Sequence, residues 1–161
     1  METPPVSLAL EKLNIPHRVF RHETPVDSLE KAASDRGQRP SQVVRSILFR
    51  VTEADFALVL VAGPGQISWK LLRKILGKSR ITMATEEEVL AVTGYRIGTV
   101  GPFGLLKLVR VMVEAGVLRE EELSIGSGIR DTAVILKSAD LHRALGDVEV
   151  VELFESNGEQ R

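Results

Sequence analysis

The sequence predicts a mixed α/β domain of about seven short strands and four or five helices. Most apolar runs have the length of strands, and they do not alternate regularly with helical segments. The connecting segments are short and carry Gly and Pro, and no repeat or linker separates them. A doubly wound parallel sheet needs a helix between successive strands, so the pattern favours one mixed domain over residues 1–161 without that topology.

In the first half of the chain, capping residues mark two helices. Thr3 is a candidate N-cap for a helix that starts at Pro4 and Pro5. Ser28 is a candidate N-cap for a second helix, which Gly37 ends because glycine adopts the left-handed conformation of a helix terminus. The strands predicted here are His17–Arg21, Gln42–Val51 and Phe56–Ala62, with a hairpin turn at Thr52–Asp55.

Two further helices are predicted at the centre of the chain. Ser68 caps one that ends at Gly77, and the capping box Thr85–Glu88 starts another that ends at Gly94. Glu120–Glu122 is predicted to be a polar turn, and residues 155–161 to be frayed. The remaining predicted elements are strands at Ile81–Ala84, Leu106–Val113, Ala133–Lys137 and Val148–Leu153, and a last helix from Ser138 as N-cap to Gly146.

Composition excludes several classes of protein. The 161 residues are 43% hydrophobic, with a net charge of −1 and no cysteine. Disulfides and cysteine metal sites are therefore excluded, and the global basic field of many DNA-binding proteins is absent. No apolar run approaches the roughly 20 residues that span a bilayer, and no secretory leader is visible. We expect a cytoplasmic protein that uses no metal or cofactor and binds neither membrane nor DNA.

The segment Gly94–Gly104 is the strongest local signal. It holds four glycines and one proline in an otherwise well-patterned chain. Glycine allows close approach to the main chain, so the segment suits a loop whose peptide N–H groups face a ligand. Two tight turns between strands would give the same composition, and both interpretations remain open. The loop follows a predicted helix, unlike the phosphate-binding loops that open one.

Several segments, in their order and spacing, resemble the YbaK/EbsC family of aminoacyl-tRNA deacylases, which is related to the editing domain of bacterial prolyl-tRNA synthetase. The resemblance implies a largely antiparallel, barrel-like sheet with helices around it. It also implies hydrolysis of the ester that joins a wrongly attached amino acid to tRNA. The segments that carry it are Ser41–Phe49, Leu60–Gly63, Lys70–Leu72, Met83–Val89 and Thr93–Gly104.

The resemblance also implies the catalytic residues. The family's Gly-x-x-x-Pro loop corresponds to Gly98 and Pro102 and includes Gly101. Backbone N–H groups in such a loop can stabilise the charge that develops on an ester carbonyl. Arg45 occupies a position where the family usually has lysine. Arginine keeps the charge but cannot transfer a proton near neutral pH, so it replaces lysine only if the role is electrostatic.

Substrate contacts are expected on both sides of this loop. Thr99, Val100 and Phe103 belong to the loop itself. His22 contacts the terminal adenosine, helps to orient water, or is an ordinary surface histidine. Ser127 and Gly128 form a second small loop that either admits substrate or makes a turn.

Two functions remain compatible with these residues. The first is a deacylase that acts in trans on mischarged aminoacyl-tRNA, with tRNA-Pro as the expected tRNA. In this case the ribose 2′-hydroxyl helps to activate water. The alternative is a catalytically inactive module of the same fold that binds tRNA ends, nucleotides or a synthetase. Five basic residues form a local cluster: Lys70, Arg73, Lys74, Lys78 and Arg80. Two interpretations remain open: the cluster contacts tRNA phosphates, or it is a solvated helix face.

Overall fold

Eight strands and five α-helices are present in the computed structural model, which describes residues 2–155. The helices are α1 (Pro5–Lys12), α2 (Leu29–Asp35), α3 (Trp69–Leu76), α4 (Glu86–Thr93) and α5 (Ser138–Leu145). The strands are β1 (Arg18–Arg21), β2 (Val44–Arg50), β3 (Phe56–Ala62), β4 (Thr82–Met83), β5 (Arg110–Glu114), β6 (Glu122–Gly126), β7 (Thr132–Lys137) and β8 (Glu149–Val151). Short 3-10 turns occupy Pro40–Gln42 and Ala115–Arg119.

The strands form two sheets, in the orders β1-β7-β6 and β4-β2-β3-β5-β8. The pairs β1–β7, β6–β7, β2–β3 and β2–β4 are antiparallel, whereas β3–β5 and β5–β8 are parallel. The sheets meet where Val43, just before β2, bridges to Ser124 in β6. The predicted mixed, largely antiparallel fold is confirmed, and the seam between the sheets positions the candidate site.

The five-stranded sheet has apolar side chains on both faces. Because side chains alternate along a strand, Val44 and Leu48 of β2 enter the core shared with the second sheet, while Phe49 enters a core against α3. Every residue of β3 from Ala57 to Val61 is fully buried. This strand therefore forms the centre of the fold, as its unbroken apolar run indicates.

Most predicted helix ends are confirmed by hydrogen bonds. Ser28 and Ser68 accept the N–H of the third residue after them, and Thr85 forms the reciprocal capping box with Glu88. Gly77 and Gly94 end their helices with positive φ. The prediction for Thr3 is wrong, because Pro4 is the N-cap of α1 and no side chain caps it.

The strand β6 was missed by sequence reasoning, and Glu122 belongs to it rather than to a polar turn. Its apolar run is short, and Ser124 interrupts it with a polar residue that is nonetheless fully buried. Hydrogen bonding to a distant side chain satisfies that hydroxyl, which no local pattern reveals.

Several element boundaries are narrower than predicted. The strand expected from Leu106 begins only at Arg110, and β8 is shorter than Val148–Leu153. The last helix has Lys137 as its N-cap, with Ser138 as its first residue. Of the segment expected to fray, only Glu155 lies within the described residues.

Candidate active site

A cleft of about 390 Å³ opens at the seam between the two sheets. Its walls come from α2, from the start of β2, from the glycine loop and from the end of β6. It therefore joins segments that are far apart in the sequence. Prominent lining residues are Ala32, Arg36, Arg45, Ser46, Gly98, Val100, Ile125 and Gly126.

A smaller apolar pocket of about 130 Å³ shares Ser46, Gly98 and Val100 with this cleft. Its other walls are mainly aliphatic, including Leu48 and Val89. The Ser46 hydroxyl is buried and has no hydrogen-bond partner among residues 2–155. A buried hydroxyl without a partner is unfavourable, so a polar group of a ligand or a water would be favoured at this junction.

Gly98 and Val100 line both cavities at their junction. Gly98 has a φ of +88° and no atom close to its missing side chain, so glycine is favoured there by conformation rather than by crowding. Within the described chain, no acceptor is found for the N–H groups of Gly98 or Val100. These two donors are available for a carbonyl oxygen.

Gly101 has a different role, because it packs against the backbone of the second glycine loop. A Cβ on Gly101 would lie 2.6 Å from Val6 Cγ2 and still closer to the Gly126 carbonyl oxygen. A Cβ on Gly126 would collide in turn with the carbonyl oxygens of Val100 and Thr99. The two loops are therefore in direct backbone contact, which supports one wall of the cleft.

Tyr95 contacts both the Gly94–Gly104 loop and the second glycine loop. Its buried hydroxyl donates to the Phe103 carbonyl at 2.6 Å, and Gly104 and Gly128 pack directly against its side chain. Burial raises the pKa of the Tyr95 phenol above its ordinary value. Tyr95 thus closes the glycine loop on itself and supports the second loop from the same position.

The chain has one tyrosine, so tyrosinate absorbance reports this residue alone. We expect its titration midpoint to lie above that of the urea-unfolded chain. Because the unfolded state loses the phenolic proton first, the free energy of unfolding should fall as the pH rises above about 10. Tyr95→Phe should lower that free energy by about 1 kcal/mol at neutral pH and flatten the alkaline decline. An identical midpoint in the folded and unfolded protein would contradict this.

Arg45 lines the cleft, but its guanidinium Nη2 donates to the Gly65 carbonyl. The Nε atom is buried and has no partner within residues 2–155. Burial lowers the pKa of Arg45, yet arginine stays protonated near neutral pH. Arg45 therefore contributes a positive charge beside the start of β2.

His22 lies outside the cleft, and its imidazole is fully buried, which excludes the surface alternative. Its Nδ1 lies 3.2 Å from an Asp35 carboxylate oxygen, and its Nε2 accepts the Arg36 Nε–H at 3.0 Å. Because Nε2 is an acceptor, Nδ1 carries the proton and donates to Asp35. His22 is placed to orient Arg36.

Four other predicted contact residues, and Pro102, which was predicted to be catalytic, do not line the cleft. Thr99 and Ser127 are buried, and their hydroxyls donate to main-chain carbonyls, of Arg96 for Thr99 and of Thr132 at the start of β7 for Ser127. Gly128 packs on Tyr95. Pro102 and Phe103 line a separate depression near α5. The structure thus brings Arg45, Gly98 and Val100 together and leaves these five outside.

Sequence reasoning missed two residues that line the site, Arg36 and Ser46, and also Ser124, which accepts a hydrogen bond from Arg36. The alternation of side chains along β2 places Ser46 on the opposite face from Arg45, and that signal was available. Arg36, beside Gly37 at the end of α2, carried no comparable signal. Its contact with Ser124 spans 88 positions and depends on the folded chain.

Two negative observations apply to residues 2–155. No group of three or more His, Cys, Asp or Glu side chains is placed to hold a metal ion. No helix in this range is long and apolar enough to cross a membrane.

Comparison with known proteins gives a consistent result. Residues 23–144 match the family model of the aminoacyl-tRNA editing domain. A proline–tRNA ligase of Aquifex aeolicus is 27% identical over 121 residues, which cover 75% of this chain but only 20% of the ligase. The chain thus spans about a fifth of that relative. The uncharacterized protein YwhH of Bacillus subtilis is 32% identical over 124 residues, covering 76% of this chain and 78% of YwhH.

The fold comparison agrees. A crystal structure described as that of a candidate trans-editing enzyme for prolyl tRNA synthetase superposes with a TM-score of 0.85 at 26% identity. The match covers 94% of this chain and 96% of the other. The family match and the fold match agree. The chain belongs to the aminoacyl-tRNA editing domain family, of the YbaK and prolyl-tRNA synthetase editing type.

Proposed function

We propose that this protein is an aminoacyl-tRNA deacylase that hydrolyses the ester of a small amino acid wrongly attached to tRNA, acting in trans in the cytoplasm. The observation that carries the proposal is the junction of the cleft with the small apolar pocket at Ser46, Gly98 and Val100. The larger space suits the end of a nucleic acid strand and the smaller one an amino-acid side chain. Relatives that are proline–tRNA ligases favour tRNA-Pro as the tRNA, with a synthetase as a potential partner.

The reaction needs few protein groups. Water attacks the ester carbonyl carbon, the bond to the ribose oxygen breaks, and that oxygen leaves as a hydroxyl. The free N–H groups of Gly98 and Val100 suit the negative charge that develops on the carbonyl oxygen. Among the described lining residues, Asp27 is the one carboxylate and it is exposed. We therefore assign part of the activation of water to the substrate's 2′-hydroxyl.

The size of the small pocket limits the substrate. A volume of about 130 Å³ with aliphatic walls accommodates a side chain of a few heavy atoms. One methylene in such a pocket changes binding by only about 1–3 kcal/mol. A second hydrolytic site that selects small side chains therefore improves on the discrimination of a single binding step.

The test is deacylation of a labelled panel of Ala-, Cys-, Ser- and Pro-tRNA-Pro. We expect one small mischarged species to be lost rapidly while Pro-tRNA-Pro persists. Arg39→Ala serves as a control, because Arg39 is exposed and pairs with Glu120 away from the cleft. No hydrolysis above background for any species would contradict the proposal.

One observation favours the inactive binding module. Arg45 stands in the usual lysine position, and one of its nitrogens is already bonded to the Gly65 carbonyl. If that bond replaces a contact with substrate, the protein binds tRNA ends without hydrolysis. Tight binding of deacylated tRNA together with stable mischarged tRNA would establish this alternative.

The basic cluster on α3 and the segment that follows it gives a separate prediction about tRNA affinity. Lys70, Lys74 and Lys78 are exposed, and none forms an ion pair in the described part of the chain. Changing all three to Gln should weaken tRNA binding at low salt and reduce the slope of log K against log salt by about 2. The control is a triple Gln variant of Lys12, Lys107 and Lys137, which are exposed and unpaired in the described part of the chain, with the same change in charge. Equal slopes in both variants would indicate a solvated face.

A further inference from the structure

Arg36 lines the cleft, and hydrogen bonds fix the position of its guanidinium group. Its Nε donates to His22 Nε2 at 3.0 Å, and its Nη1 donates to Ser124 Oγ at 2.8 Å. These bonds tie the end of α2 to β6 and to the segment after β1. Within residues 2–155, Nη2 has no hydrogen-bond partner, although Arg36 lines the cleft.

His22, which accepts a hydrogen bond from Arg36, is itself held in place by its neighbours. The His22 imidazole is buried between Asp35 and Arg36 and packs edge-on against Phe20 at 4.9 Å. Asp35 accepts from His22 Nδ1 and from Lys31. The carboxylate therefore fixes the histidine, and the histidine fixes the orientation of Arg36.

The charge of Arg36 has no direct counterion among the described residues. Six other arginines within residues 2–155 pair with a carboxylate, whereas both partners of Arg36 are neutral. The nearest carboxylate, Asp35, is engaged by Lys31 and His22. A partly buried, oriented cation without a counterion is a favourable site for an anion.

We propose that Arg36 binds the phosphodiester that precedes the terminal nucleoside of a strand whose 3′ end lies in the cleft. The inference rests on the proposed function. In an aminoacyl ester the amino acid's carboxyl group is esterified and carries no charge, so the anion nearest the reacting bond is a backbone phosphate. A planar guanidinium with free N–H groups suits two phosphate oxygens. His22 is then a positioning residue for Arg36.

The experiment measures binding rather than hydrolysis. The probes are the trinucleotide CpCpA and the same trinucleotide with an uncharged methylphosphonate at the last linkage, each titrated calorimetrically. For the wild type we expect the charged probe to bind at least about ten-fold more tightly, as charge-assisted hydrogen bonds require. In Arg36→Gln the ratio should fall to about one, and in Arg36→Lys to an intermediate value.

The controls separate this role from its alternatives. Arg39→Gln and Arg50→Gln, which remove arginines that pair with carboxylates outside the cleft, should keep the wild-type ratio. A merely structural role for Arg36 would lower Tm in Arg36→Gln and leave the ratio unchanged, which would overturn the proposal. A wild-type ratio near one, or no binding of either probe, would overturn it as well. Deacylation is assayed separately, so loss of the proposed function is recognised independently of the phosphate contact.

Discussion

Replacing Gly101 by alanine is expected to lower the free energy of unfolding by about 3 kcal/mol or more. The new methyl group would collide with the Gly126 carbonyl oxygen and with Val6. Neither neighbour yields easily, because one belongs to backbone and the other lies fully buried in the core. Urea unfolding at neutral pH measures the effect.

The matched control is Gly98→Ala in the same loop. Its methyl group would meet no atom within 4 Å, but the φ of +88° makes the backbone strained. We expect a loss of about 1–2 kcal/mol and a folded protein. If Gly101→Ala were as stable as the wild type, the close backbone contact of the two loops would be contradicted.

This pair of variants also separates packing from catalysis. Gly98 lines both cavities, whereas the space beside Gly101 is filled by the second loop. We therefore expect Gly98→Ala to change kcat in a folded protein and Gly101→Ala to act through stability. Both glycines were predicted to be catalytic, and Gly98 is the better candidate for direct contact.

Arg45→Ala is expected to reduce kcat/KM for deacylation about 100-fold, the loss typical of removing one stabilising donor in an active site. The residue provides a half-buried positive charge in the cleft, with its Nε atom unpartnered in the described residues. Single-turnover hydrolysis of the mischarged tRNA identified in the panel measures the loss.

Two variants test the reason for this effect. Arg50→Ala removes an arginine of the same strand that pairs with Glu88 outside the cleft, and should retain activity. Arg45→Lys keeps the charge, so activity near wild type indicates an electrostatic role. Activity above wild type indicates that lysine geometry or proton transfer is limiting. A lower Tm with unchanged kcat/KM in Arg45→Ala would show that the residue only anchors Gly65.

Local patterns were sufficient for much of the fold. The caps at Ser28, Ser68 and Thr85 and the buried run of β3 depend on neighbours in sequence, so their positions could be predicted. The strand β6 could not, since its central Ser124 is polar and becomes compatible with burial only through Arg36. Strand ends such as those of β5 and β8 depend on pairing with other strands.

The residues of the candidate site also separate into those that the sequence predicted and those that only the folded structure revealed. The sequence alone predicted Gly98, Val100 and Arg45 as site residues, because they lie in segments that resemble one family, and all three line the same cleft. Only the tertiary structure decided that Gly101 packs, that Thr99, Pro102 and Phe103 face elsewhere, and that Arg36 enters the wall. The physical reason is that side-chain direction and burial depend on contacts between segments many residues apart, which spacing along one chain does not encode.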